Sequence, residues 1–323
     1  MSLETVIDSA LSQFPTLREK IGKAKLLSIA EKNQHLSIIY YLTKSIPDNT
    51  KVKKMLDVLK DDPNHIGALV ILDYILRPHY ILKHLDRCLA TIQDESRLNA
   101  LLEHLLNANS FWQGYCEIEV AAHLKKMFGK IELEPSLNGE KKADVKFSLN
   151  CKDVFVEVTA PKRHYKYIKA MQESAEEHKV VQLEAPVERA SDKILDELNH
   201  FADKLDKVNS VIIINLNDTE IEDIDIEDAL MGTSKLVVLK NISTGKIETR
   251  VVRENWTAFV KDNKLAKVGA IICYKRDFAI NGNVAFEKRV FALSFDKQDC
   301  EYLVNLFPEL EDNNPRSNSV EKS

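Results

Sequence analysis

Residues 211–216 read Val-Ile-Ile-Ile-Asn-Leu, an almost unbroken apolar run without a charge. A strand with one wet face alternates polar and apolar side chains. A strand that lacks this alternation is buried on both faces, as in a sheet covered by helices on both sides. That run commits the chain to an α/β architecture, and the remaining sequence has to supply the layers.

The supply is uneven. Residues 1 to about 108 read as helix throughout, with helical apolar spacing from Leu17 to Leu42 and a stop and new N-cap at Pro47-Asp48-Asn49-Thr50. Short helices are expected over 52–59 and 66–75, with Pro78 breaking the pattern before another over 81–91. A last helix is expected over 94–106. From Phe111 the texture changes. A helix over 112–128 ends near Gly129, a strand over 131–134 closes at Pro135, and strands at 143–149 and 153–159 flank the turn Asn150-Cys151-Lys152. A long helix is expected over 187–205, strands over 235–239, 246–252, 268–274 and 284–293, and a closing helix over 296–306. Asn281-Gly282-Asn283 marks a hairpin turn. The expected organisation is a helical domain (1–108), a mixed-sheet α/β domain (109–308) and a polar, disordered tail (309–323).

Composition excludes several classes. The 44% apolar content is that of a globular chain, and no segment approaches eighteen apolar residues, so no membrane span is expected. The five cysteines lie far apart with no Cys-x-x-Cys pair, which argues against a structural zinc site or disulfide framework. With no secretory leader at the start, the expected location is cytoplasmic. Gly22, Gly67 and Gly114 do not have the spacing of a phosphate loop. The net charge of −5 gives no chain-wide nucleic-acid signature, but residues 141–169 hold eight basic residues against three acids.

That basic stretch surrounds two carboxylates, and a third lies on the helix before it. Glu157 lies between Val156 and Val158, and a charge within an apolar strand costs several kcal/mol unless it is paired or binds a metal. Asp144 enters the preceding strand thirteen residues earlier. On the helix before them, Glu117 shares a face with Val120, Ala121, Leu124 and Phe128, whereas Glu119 lines up with Tyr115, His123 and Lys126 and is expected to face solvent. Carboxylates from a helix and two paired strands can present the all-oxygen donor set that Mg²⁺ or Mn²⁺ prefers.

The order Glu117, Asp144, Glu157-x-Thr159 resembles the PD-(D/E)XK, or restriction-endonuclease-like, nucleases over roughly residues 111–216. The resemblance implies a restriction-endonuclease-like mixed sheet flanked by helices. It implies metal ligation by Asp144 and Glu157, with Glu117 as a third ligand, and metal-dependent hydrolysis of DNA. Ala143 stands where the motif usually has proline, and Thr159 where it has lysine. Lys162, three residues on, could reach back to supply that charge. The alternative is a nuclease fold that binds without cutting, with the helical half recruiting a protein partner. The segment Lys162-Arg163-His164-Tyr165-Lys166-Tyr167, with Lys169, mixes cations and aromatics suited to phosphates and bases. Gln182 and Lys193 are possible water- or substrate-positioning residues, and His164 is the one histidine expected near the site. The seven acids between Asp218 and Asp228 read as a solvated loop.

Overall fold

The computed structural model describes residues 2–32, 37–107, 110–137, 141–160, 200–201, 209–217, 226, 229–230, 233–240, 247–254, 268–279 and 281–307. The helical region comprises α1 (Leu3–Leu11), α2 (Pro15–Ile21), α3 (Lys23–Lys32), α4 (Ser37–Lys44), α5 (Asn49–Asp61), α6 (Ile66–Ile92) and α7 (Leu98–Leu106). It leads into α8 (Phe111–Phe128). The strands are β1 (Ile131–Leu133), β2 (Val145–Leu149), β3 (Lys152–Thr159), β4 (Ser210–Asn215), β5 (Thr233–Lys240), β6 (Ile247–Glu254), β7 (Ala270–Phe278) and β8 (Val284–Ala292), followed by α9 (Lys297–Val304).

Six strands form one mixed sheet in the order β1-β2-β3-β4-β7-β8, while β5 and β6 pair separately. The pairs β1–β2, β2–β3 and β7–β8 are antiparallel; β3–β4 and β4–β7 are parallel. β4, apolar from Val211 to Ile214 and buried throughout, sits in the middle, as its composition requires. Val211 and Ile213 pack into the core that includes α6, α7 and α8, and Ile212 and Ile214 into a second core with Ile226, Leu230, Val268 and Ile271. The β2–β3 turn places both Asn150 and Cys151 at positive φ (49° and 63°), the backbone of a two-residue hairpin turn whose twist matches the strands.

Three expected boundaries move. Pro78 does not end a helix: α6 runs unbroken through it. An interior proline removes one hydrogen bond and costs about 3 kcal/mol. Ala68 and Leu72 before it, and Ile81, Leu82, Leu85, Leu89 and Ile92 after it, are all buried, and that burial outweighs the loss. The run from Leu17 to Leu42 divides into α2, α3 and α4, with Gly22 at φ 78° separating the first two. The helix expected from Asp94 starts at Leu98, because Arg97 is left-handed (φ 68°).

The main apolar core is continuous from Ile7 in α1 to Phe307 beyond α9, so the helical region and the sheet share one interior. Central to it is α8, which packs against α6 and α7 on one side and β1, β2 and β3 on the other. The expected helix over 187–205, apart from residues 200–201, and the tail lie outside the described residues, as do Lys162, Arg163, His164, Lys166, Lys169, Gln182 and Lys193. So does the acidic run, apart from Ile226.

Candidate active site

Asp144 and, through Gln113, Glu117 meet the backbone of Val158 near the end of β3. Val158 donates its N–H to Asp144 Oδ2 at 2.7 Å, and its carbonyl accepts from Gln113 Nε2 at 2.7 Å. The same Gln113 amide donates to Glu117 Oε1 at 2.7 Å, and its oxygen accepts from Ala160 N at 3.0 Å. Gln113 therefore fastens the first turn of α8 to the end of β3, with Glu117 held against it. Asp144 precedes β2, where the ladder is irregular: its N–H goes to Val156 O, the carbonyl opposite Val145. This frees the Asp144 carboxylate to cap Val158 N–H. Glu157 itself is buried, as is Thr159.

His104 completes the cluster. Its Nδ1 lies 2.8 Å from Glu117 Oε2, and its imidazole is half exposed. The bond to Glu117 raises the His104 pKa against the opposing effect of burial, with further help from the charges of Glu117, Asp144 and Glu134. The expectation that His164 is the one histidine near the site is thus corrected. Residue 104 lies on α7 and reaches the cluster only because α7 folds back on α8. Gln113 and His104 were both missed in the sequence, where neither carries a motif.

Glu119 overturns its expected placement. It is fully buried, not solvent-facing, and accepts from Arg276 Nη1 at 2.5 Å and Tyr274 Oη at 2.7 Å, with His84 Nε2 2.7 Å from its other oxygen. The reason is that α8 is covered nearly all round, so a polar side chain on it marks an inward partner rather than solvent. Burial would raise the Glu119 pKa, but Arg276 and then His84 bring it down to about 2. Burial likewise opposes the charge on His84, yet Cys88 and Glu119 lift its pKa to about 9. His123, packed against Phe286 and Phe307, is pushed down to about 4 by burial, then by the neighbouring cations.

These two histidines set opposite pH limits. His84 is raised on folding, so its contribution is complete below pH 6.5 and is lost as pH rises through about 9. His123 is lowered, so its contribution is complete above pH 6.5 and is lost as pH falls towards about 4. Urea denaturation across pH should give maximal stability near pH 6.5. His123→Phe should flatten the acid limb and His84→Gln the alkaline limb; unchanged limbs would remove these groups as the cause.

The donor set, Asp and Glu oxygens, suits a hard cation such as Mg²⁺, which is commonly held by one or two carboxylates plus water and substrate phosphate. Asp144 and Glu157 fit that requirement. Glu117 has both oxygens engaged, by Gln113 and His104, and among the described residues no group of three His, Cys, Asp or Glu side chains is gathered to hold a metal. No helix among the described residues is long and apolar enough to cross a membrane. Fold and site together define a mixed α/β protein with a carboxylate cluster at the carboxyl ends of its parallel strands. No family model, curated protein or solved structure matches the chain.

Proposed function

We propose that this chain is a metal-dependent nuclease of restriction-endonuclease-like fold that hydrolyses phosphodiester bonds of DNA. The observation that carries the reading is the convergence of Asp144, and of Glu117 through Gln113, on the backbone of Val158, the residue after the buried Glu157 in β3. The order helix, strand, hairpin strands on which the sequence resemblance rests is the order of α8, β1, β2 and β3. Asp144 and Glu157 hold the ion. A bound Mg²⁺ or Mn²⁺ supplies charge stabilisation at the phosphodiester and a more acidic water. His104, when protonated, brings a positive charge beside Glu117, and the bond between them favours that form. Thr159 can hydrogen-bond a water but cannot offset phosphate charge, so Lys162, outside the described residues, or His104 takes that part. Lys162, Arg163, Lys166 and Lys169 supply contacts to the phosphate backbone.

Calorimetric titration with Mn²⁺ and a cleavage assay on single- and double-stranded DNA test this directly. Glu157→Gln and Asp144→Ala should each lower metal-dependent cleavage at least about a hundredfold while DNA binding stays within a few-fold. Cleavage that persists in either purified variant would refute the site assignment.

A second reading, a nuclease fold that binds without cutting, is favoured by Thr159 in the lysine position and by an exposed apolar stripe on α6. Ile66, Val70 and Tyr74 recur every four residues and are 76%, 61% and 71% exposed. Absence of metal-dependent cleavage in the wild type, with an interaction that survives Glu157→Gln, would establish it.

A further inference from the structure

At the same end of the sheet as the carboxylates, the carboxyl ends of its parallel strands, lies a cleft of about 210 Å³. Its aromatic walls are Tyr40, Tyr41, Tyr74, Trp112 and Phe278, and two guanidiniums, Arg77 and Arg276, line it. The aromatic wall is packed rather than incidental. Tyr41 stacks on Phe111 (5.4 Å between ring centroids) and meets Trp112 edge-on (5.7 Å). Arg276 is fixed: its guanidinium lies 4.3 Å from the Tyr115 ring centroid and pairs with Glu119, and its backbone is gripped by Asn217. Asn217 follows β4 and meets Arg276 on β7, so the cleft opens at the carboxyl ends of parallel strands, where ligands of open α/β sheets bind.

Its chemistry narrows the occupant. Two cationic guanidiniums disfavour an ammonium ligand, and both are already paired, Arg276 with Glu119 and Arg77 with Asp73, which offsets much of the charge that a bare phosphate would need. What remains suits a flat ring bearing carbonyl acceptors, stacked on aromatics. The volume is below that of a cleft for a drug-sized cofactor and matches one ring system. Trp112 lines this cleft, while the next residue, Gln113, holds Glu117 and the end of β3. A ligand in the cleft is therefore next to the carboxylate cluster.

We propose that the cleft holds one unstacked base of a nucleic-acid strand, so that the substrate is single-stranded or locally opened DNA; this rests on the nuclease reading for its link to the carboxylates. Stacking on aromatic side chains contributes about 1–3 kcal/mol per base without demanding a sequence.

The test is fluorescence anisotropy of the full chain with a labelled single-stranded oligonucleotide, the same strand with abasic sites, and a mononucleotide as competitor. Tyr40 and Tyr74 are exposed, at 43% and 71%, so Tyr40→Ala/Tyr74→Ala retains the fold, checked by circular dichroism. The double variant should bind the oligonucleotide about tenfold more weakly. Abasic strand should bind the wild type as weakly as intact strand binds the variant. Equal binding of intact and abasic strands, or an unaffected double variant, would overturn the base site. Tight mononucleotide binding without strand binding would overturn the strand as its source. The same samples separate the two proposals: loss of cleavage in Asp144→Ala with intact, tyrosine-dependent binding supports both. Tyrosine-dependent binding with no metal-dependent cleavage in the wild type refutes the nuclease and retains the base site.

Discussion

Arg276→Ala should lower the unfolding free energy by about 3–5 kcal/mol, among the largest losses a single replacement in this chain can produce. Arg276 and Glu119 are both almost wholly buried, and the pair joins β7 to α8, with His84 attaching α6 to the same carboxylate. Removing the guanidinium leaves a carboxylate in the core with only the Tyr274 hydroxyl and His84 to satisfy it. It also removes the packing of the guanidinium on Tyr115 and Trp112. The pair should not be read as net stabilisation, however. Two buried charges have lost their hydration, and their attraction offsets that cost only while the geometry is intact. Arg276→Met/Glu119→Leu should accordingly recover most of the loss. Urea denaturation of wild type, single and double variants measures this. A single-variant loss below about 1 kcal/mol would show that Glu119 finds water when its partner is gone.

Gly114→Ala is expected to destabilise the protein by about 1–3 kcal/mol, against the usual direction, since alanine in a helix interior is normally better than glycine by about 1 kcal/mol. The reason is the approach of α7 to α8. A Cβ at residue 114 would stand 2.6 Å from Leu105 N and 2.9 Å from both the carbonyl carbon and Cβ of His104. Two of those atoms are backbone, so relief requires α7 to move as a unit. His104 would move with it and lose its bond to Glu117. The variant should therefore show a lower Tm and a His104 pKa, followed by NMR, that falls back towards 6.5. A stabilised variant with His104 unchanged would mean the two helices have slack.

Local signals were legible wherever the deciding forces are local. The β2–β3 and β7–β8 hairpins follow from short turn sequences, and β4 follows from a composition that only a doubly covered strand tolerates. The order of Glu117, Asp144 and Glu157 along the elements was also readable, because alternation and helical period assign faces within one element. Where an element has no solvent face, that logic fails. The period of α8 separated Glu117 from Glu119 correctly but could not say that both sides are interior. Pro78 was a local penalty that burial along the rest of α6 overrode.

The chain's own sequence thus determined the hairpins, the double coverage of β4 and the acidic residues available for chemistry. Tertiary structure alone decided their partners. Glu119 meets Arg276 across 157 positions, Gln113 reaches Val158 across 45, and His104 reaches Glu117 by the folding back of α7. No periodicity reports such pairings. The desolvation cost that makes each one necessary arises only when packing removes the water, and packing is a property of the whole fold.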